Sequence, residues 1–281
     1  MQELRGLPVA NDLKTRFEKD IAELNQKGIN PNLTIVRVGE REDDLAYESS
    51  IIKRFSSVNA IAEVIALPVD CTQQQLEKTI IDLNNDKSVH GILLFRPLPK
   101  HLSEDRIKSI IAEEKDVDCM GINNLANVFA GNKKGYPPCT PQAVIEILEF
   151  YNIDVTGKKV VIVGRSLVVG KPLAMLLIGK NATVTICHTK TINLADECKK
   201  ADILIACAGV AKMINRDFIS NDQIVIDVGI NMDNGKLCGD VNYDDVAAFV
   251  KAITPVPGGV GTVTTSVLLK HTIQSASIKR S

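Results

Sequence analysis

The sequence predicts an α/β protein of two domains, and three observations carry that prediction. Aliphatic, β-branched runs alternate with helical patterns along the chain. The stretch Lys158–Pro172, K-K-V-V-I-V-G-R-S-L-V-V-G-K-P, reads as strand, glycine-bearing turn and helix start. The segment Tyr136-Pro-Pro-Cys-Thr-Pro141 shifts the composition near the middle and marks a boundary. At 281 residues there is enough chain for two cores.

The first domain is expected over residues 1–137. Leu13, Phe17, Ile21 and Leu24 recur at helical spacing within Asn11–Lys27, and Asn32–Gly39 then reads as a strand. A helix is expected from Tyr47 to Asn59, a strand over Ile61–Leu67 and a helix over Thr72–Asn84. A third strand, Val89–Phe95, is halted by Pro97 and Pro99. This βαβαβ alternation implies a parallel sheet covered by helices.

The second domain is expected over 138–261. A helix from Pro141 to Tyr151 leads into the buried run Val160–Val163, and Leu173–Leu177 suits a helix packed back on the sheet. Further strands are expected at Thr183–Cys187, Ile203–Ala206, Ile224–Val228 and Ala252–Thr254. A last helix, Thr264–Ser277, lies in a C-terminal segment (262–281) expected to return to the first domain.

Composition excludes several roles. A net charge of −1 with no long basic block gives no support to nucleic-acid or membrane-surface binding. No run reaches the length of a membrane span, and Met1-Gln-Glu-Leu-Arg5 lacks the apolar core of a signal peptide, so a cytoplasmic protein is expected. The seven cysteines are scattered without a C-x-x-C pair; reduced thiols and no metal site are the expectation.

A strand, a glycine turn and a helix together make a phosphate cradle, with backbone N–H groups aimed at an anion. The spacing here is G-R-S-x-x-x-G-x-P, not G-x-G-x-x-G. In a Rossmann-type nicotinamide-binding domain, an acid ending the second strand pairs with the ribose hydroxyls and selects NAD. Here that strand runs into His188-Thr189-Lys190-Thr191, with no acid. Hydroxyls, Lys190 and the nearby Arg165 suit a 2′-phosphate, which favours NADP with NAD still possible. The alternative is that both cations only point into water. Asp227-Val-Gly-Ile-Asn231 and the loop Pro255–Gly261 place glycines after two further strands, where ligands bind in open sheets. His188 reads as structural, because no paired carboxylate is visible, and no cysteine has a nucleophile's surroundings.

Several segments together resemble the methylenetetrahydrofolate dehydrogenase/cyclohydrolases of one-carbon metabolism. They are Pro31–Gly39, Glu114–Asp118, Pro138–Pro141, Val163–Ser166 with Val169–Pro172, Asn181–His188, Asp227–Asn231 and Thr254–Gly261, in the family's order. The resemblance implies a folate-binding catalytic domain followed by a nicotinamide-binding one, and a homodimer. It implies that Tyr47 stacks on the folate rings and that Asp118 accepts the pterin's N–H donors. It places Gly164, Arg165, Ser166, Thr189 and Ile230 against the dinucleotide, and Pro257, Gly258 and Gly259 in the substrate loop.

The pattern breaks at two positions. The family's Y-x-x-x-K lysine, which handles protons in the cyclohydrolase step, is Ile51 here, and its partner glutamine is Phe95. Lys53 lies about 200° further round the helix and does not project to the same point. Smaller departures are Cys119 for a glycine, Thr262 for a proline and Glu42-Asp43-Asp44 for a P-A-S turn. Hydride transfer to NADP needs positioned reactants, whereas hydrolysis needs proton transfer, which neither isoleucine nor phenylalanine can provide. The expectation is a dehydrogenase of 5,10-methylenetetrahydrofolate with weak or lost cyclohydrolase activity. The alternatives are the fully bifunctional enzyme and a non-catalytic folate- or nucleotide-binding paralogue.

Overall fold

The computed structural model describes residues 1–132 and 134–278. The chain divides into two compact units. One comprises Met1–Asp12 and Thr140–Thr264, and the other Leu13–Cys139 with the C-terminal segment from Thr265 onward. Residues 279–281 of the expected C-terminal segment lie outside those described.

The unit beginning at Leu13 takes in most of helix α1 (Gly6–Gln26), after the short strand β1 (Gln2–Glu3). Strand β2 (Asn32–Val38) lies at the centre of a parallel three-stranded sheet. Helix α2 (Glu42–Ser56) leads to strand β3 (Ile61–Leu67) on one side of it. Helix α3 (Gln73–Asn85) leads to strand β4 (Gly91–Leu94) on the other. Every residue of β2 and β4 is buried, as two-sided cover of a parallel sheet requires. Thr72 starts α3 with a capping box, its hydroxyl accepting from the Gln75 N–H while the Gln75 side chain takes the Thr72 N–H.

Two boundaries differ from the sequence pattern for local reasons. Helix α1 starts at Gly6 because Pro8 falls in its first turn, where no N–H is needed. Helix α2 starts at Glu42 because Glu42, Asp43 and Asp44 suit the positive end of a helix. Helices α4 (Glu104–Ile110) and α5 (Ile122–Ala130) were not expected from the pattern.

The other unit starts its main run with helix α6 (Cys139–Phe150), whose first residue belongs to the preceding unit. Strand β5 (Lys159–Val163), helix α7 (Gly170–Ile178), strand β6 (Thr183–Cys187), helix α8 (Leu194–Lys199), strand β7 (Ile203–Ala206) and strand β8 (Ile224–Asp227) follow. A hairpin, β9 (Asn231–Asp233) and β10 (Lys236–Cys238), precedes α9 (Tyr243–Val246) and β11 (Ala252–Ile253); the last helix, α10 (Gly261–Ser277), starts in this unit and belongs to the other from Thr265 onward. The six-stranded parallel sheet has the order β1-β11-β8-β7-β5-β6. The chain leaves β5 toward β6 and returns on the other side as β7. The switch point therefore lies at the carboxyl ends of β5 and β7. No helix among the described residues is long and apolar enough to cross a membrane.

Candidate active site

In the sheet β3-β2-β4 the switch point lies between the carboxyl ends of β2 and β4. Three segments converge there. The first is α2, anchored from below by Arg37 on β2. That buried guanidinium donates to Glu48 Oε2 at 2.8 Å and to the Gly39 carbonyl at 2.6 Å. Glu48 follows Tyr47, so this ion pair fixes the turn that carries the tyrosine. Tyr47 is 37% exposed, and its ring stacks on Phe95 with centroids 5.6 Å apart and planes at 29°.

The second segment is the exit of β4. Phe95 is buried and its N–H donates to the Val36 carbonyl, so the ring is held by the sheet itself. Arg96 follows, half-buried.

The third segment, Lys115–Asp118, runs beside β4, with the Ile92 N–H donating to the Lys115 carbonyl. The buried Lys115 ammonium donates to the carbonyls of Leu83 and Asp86 at the end of α3, at 2.7 and 2.6 Å. Buried Asp116 accepts from the N–H groups of Met120 and Gly121 and from the Asn124 amide, all at 2.9 Å. With Lys115 and Asp116 both secured, Asp118 is left half-buried just after them. Its Oδ1 accepts from the Cys139 N–H at 3.3 Å, and its Oδ2 lies 3.7 Å from the Arg96 guanidinium. Burial pushes the Asp118 carboxyl up from its ordinary value, opposed first by Arg96 and then by Cys139. Cys119 adopts a left-handed backbone at φ 57°, where a glycine would be unstrained.

Ile51, one turn after Tyr47 on α2, is fully buried, while Lys53 is exposed. The positions of the departing pair are thus both hydrocarbon and both shielded from water. Burial pushes the thiols of Cys119 and Cys139 up, so neither is a thiolate nucleophile at neutral pH.

In the six-stranded unit, Gly164 directly follows β5 at φ 141°, and a Cβ there would meet the Cys207 carbonyl oxygen, beyond β7, at 2.3 Å. A Cβ on Gly170, the first residue of α7, would lie 2.1 Å from the Gly164 oxygen. Only glycines allow this close approach. The Ser166 hydroxyl accepts from the Val169 N–H at 3.0 Å and closes the turn, leaving Arg165 exposed. The first turn of α7 has no acidic residue and its N-cap, Val169, has no side-chain acceptor, so the helix's positive end is open to an outside anion. The cradle therefore fits the diphosphate of a dinucleotide.

Beyond β6, the Thr191 hydroxyl accepts from the His188 N–H and His188 Nδ1 accepts from the Lys190 N–H. That turn employs His188 structurally and leaves Thr189 and Lys190 exposed. Ile230 is 65% exposed after β8. The loop 255–261 is tied to the chain start by the Gly6 N–H donating to the Gly258 carbonyl at 2.8 Å. Within it Pro257 and Gly258 are exposed and Gly259 is buried. The turns after β7 and β8 rest on two buried carboxylates. Asp227 accepts from the N–H groups of Gly229, Asp240 and Val241. Asp240 accepts from those of Ala208, Gly209 and Val210 and from the Asn231 amide. Asp240 escaped sequence reasoning, as did the Arg96–Asp118 and Cys139–Asp118 contacts. Arg96 stands in the same departing segment as Phe95, and that was the available signal.

The family model for the tetrahydrofolate dehydrogenase/cyclohydrolase catalytic domain matches residues 4–118, and the model for its NAD(P)-binding domain matches 138–280. The chain belongs to the tetrahydrofolate dehydrogenase/cyclohydrolase family. The NAD(P)-binding match spans the run Thr140–Thr264 of the six-stranded unit and continues into the segment from Thr265 onward. A relative from Carboxydothermus hydrogenoformans, the bifunctional protein FolD, is 52% identical over 99% of this chain and 98% of its own. A crystal structure of the bifunctional dehydrogenase/cyclohydrolase of Campylobacter jejuni superposes with a TM-score of 0.96 at 38% identity, covering 98% of both chains. A Trypanosoma brucei member complexed with NADP cofactor and inhibitor gives 0.91 at 34% identity, covering 97% of this chain and 96% of the other.

Proposed function

We propose that this chain oxidises 5,10-methylenetetrahydrofolate to the methenyl form with NADP, and that its hydrolysis of that product is weak. In this proposal the unit beginning at Leu13 binds folate and the six-stranded unit binds the nicotinamide. The carrying observation is that Ile51 and Phe95, the positions proposed to handle protons, are buried hydrocarbon, beside Tyr47, Asp118 and a glycine cradle proposed to bind and orient.

The bound nicotinamide supplies the hydride acceptor. The chain's own part is to bind and orient. Tyr47 offers a ring face to the fused folate rings, and Asp118, once ionised, accepts their N–H donors at two oxygens. Oxidation removes hydride from the one-carbon bridge, and the adjoining folate nitrogen donates its lone pair to the resulting cation. No side chain has to take a proton, so Ile51 and Phe95 are tolerable. Hydrolysis demands that water lose a proton as it attacks and that a nitrogen gain one as the ring opens. Arg165, Lys190 and the Thr189 hydroxyl are proposed to hold a 2′-phosphate, with Gly164, Ser166 and Ile230 against the rest of the dinucleotide. Pro257, Gly258 and Gly259 are proposed to border the substrate. The proposal includes a homodimer, which a measured mass in solution tests.

A second reading is favoured by the relatives. Proteins about half identical over nearly their whole length are called bifunctional. On that reading the chain also hydrolyses methenyltetrahydrofolate, through groups other than residues 51 and 95. Assaying both steps on one preparation, with both nicotinamides, decides between them. Oxidation with NADP and methenyl loss close to the uncatalysed rate supports the first reading. Brisk enzymatic hydrolysis supports the second, and no oxidation with either nicotinamide defeats both.

A further inference from the structure

We propose that Arg96 is a specificity-determining residue that contacts the substrate, its guanidinium donating to the ring carbonyl next to the N–H groups that Asp118 accepts. The inference rests on the folate reading of this cleft and extends it to the recognition of one ring oxygen.

Arg96 leaves β4 directly after Phe95, so it stands at the strand exit where the stacked Tyr47–Phe95 pair ends. Its guanidinium is 3.7 Å from Asp118 Oδ2, an ion pair beyond hydrogen-bond length. The arginine therefore keeps donors available, and that carboxylate oxygen keeps lone pairs. The two side chains are 25% and 29% exposed, so each is largely enclosed but presents a face to solvent. On its enclosed side, Asp118 Oδ1 is already engaged by the Cys139 N–H.

What remains is an acceptor-only group beside a donor-only group. Its complement is a planar edge carrying N–H donors next to a carbonyl oxygen. The 2-amino-4-oxo edge of a reduced pterin has that order of groups. A 2,4-diamino ring does not, because it turns a donor toward the guanidinium. Arginine's planar fork suits a fixed oxygen on a flat ring better than the point charge of lysine. The same guanidinium opposes the upward push that burial gives the Asp118 carboxyl, so one residue both reads the oxygen and favours the ionised acceptor.

The test measures calorimetric binding of tetrahydrofolate and of its 4-amino analogue, tetrahydroaminopterin, to full-length wild type, R96L and R96K. Wild type is expected to prefer the 4-oxo ring by about tenfold to a hundredfold, the usual worth of a hydrogen bond to a charged group. R96L is expected to bring that ratio close to one, and R96K to lie between. A general structural role for Arg96 would weaken both ligands alike and leave the ratio unchanged. An unchanged ratio in R96L overturns the inference while leaving the folate reading intact. Should R96L not fold, an R96K ratio equal to that of wild type overturns it equally. Failure of wild type to bind either ring overturns the folate reading and this inference together.

Discussion

Ile51→Lys combined with Phe95→Gln is expected to restore hydrolysis of methenyltetrahydrofolate. The cost can be worked from the two sites. Ile51 is fully buried, so a lysine there gives up aliphatic packing and desolvates an ammonium, although its stem refills part of the space. Phe95 is 6% exposed and stacks on Tyr47 at 5.6 Å. Losing the stack costs about 1 kcal/mol, and shrinking the side chain adds roughly 2–3 kcal/mol of lost burial. The loss at position 95 alone, about 3–4 kcal/mol, is a large part of the roughly 5–15 kcal/mol that holds a domain together, and the buried ammonium at position 51 adds to it. Folding of the double variant is therefore checked first, by its thermal transition with tetrahydrofolate bound. General acid–base catalysis is worth about 10²–10⁴-fold, so methenyl loss is expected to accelerate at least about a hundredfold. Oxidation, which needs no proton transfer, is expected to change less than about tenfold. The assay follows methenyl disappearance and cofactor reduction separately on the same preparation. A folded double variant whose hydrolysis does not rise refutes the assignment of these positions. So does a wild type that already hydrolyses as fast as the variant.

Three further outcomes are expected. Gly170→Ala puts a methyl 2.1 Å from the Gly164 oxygen, so the cradle must open; NADPH binding, read by fluorescence titration, should weaken at least about tenfold with tetrahydrofolate binding unchanged. Arg165→Gln should raise KM for NADP by about tenfold to a hundredfold while leaving KM for NAD within about twofold, and equal effects on both would remove the 2′-phosphate assignment. Burial lifts the Asp227 carboxyl to about 6 against the pull of three N–H donors, above its ordinary 3.8. The folded state then binds more protons than the unfolded state between those values, so this residue's contribution to stability falls as pH rises from about 4 to about 6. The loss approaches 3 kcal/mol at about 1.36 kcal/mol per unit. Urea unfolding of wild type and D227N across that range should show their difference shrinking with pH, and a constant difference would contradict the assignment.

The strands were the most legible part of the sequence because buried parallel strands are written as unbroken aliphatic runs. Thr183–Cys187 and Ile203–Ala206 have the bounds their patterns imply. Short helices were not legible. Helix α5 has Gly121 before it and a left-handed Gly131 after it but no side-chain cap, and α8 follows a left-handed Asn193. Strand β1 is two residues long and exists only because β11 pairs with it. At the candidate site, motif matching proposed Tyr47, Asp118 and the cradle, since each lies in a local signature. The supports were hidden by distance along the chain: Lys115 holds carbonyls about thirty residues earlier, and Asp240 serves loops about thirty residues before it. Contacts of that span leave no periodic trace in a single sequence.

On the proposed reading, residues 51 and 95 are coupled through burial. With Phe95 enclosed and stacked on Tyr47, a lone ammonium at position 51 would face hydrocarbon where it needs an acceptor. A buried cation without a partner costs several kcal/mol or loses its proton. Conversely, a lone amide enclosed at position 95 would leave polar atoms unsatisfied. Ile51→Lys and Phe95→Gln are therefore expected to be non-additive, the double variant losing about 1–3 kcal/mol less than the sum of the two single losses. A double-mutant cycle on thermal or urea stability measures it. Additive losses would mean that residues 51 and 95 do not share one environment, and the proton-handling assignment would then lose its structural basis.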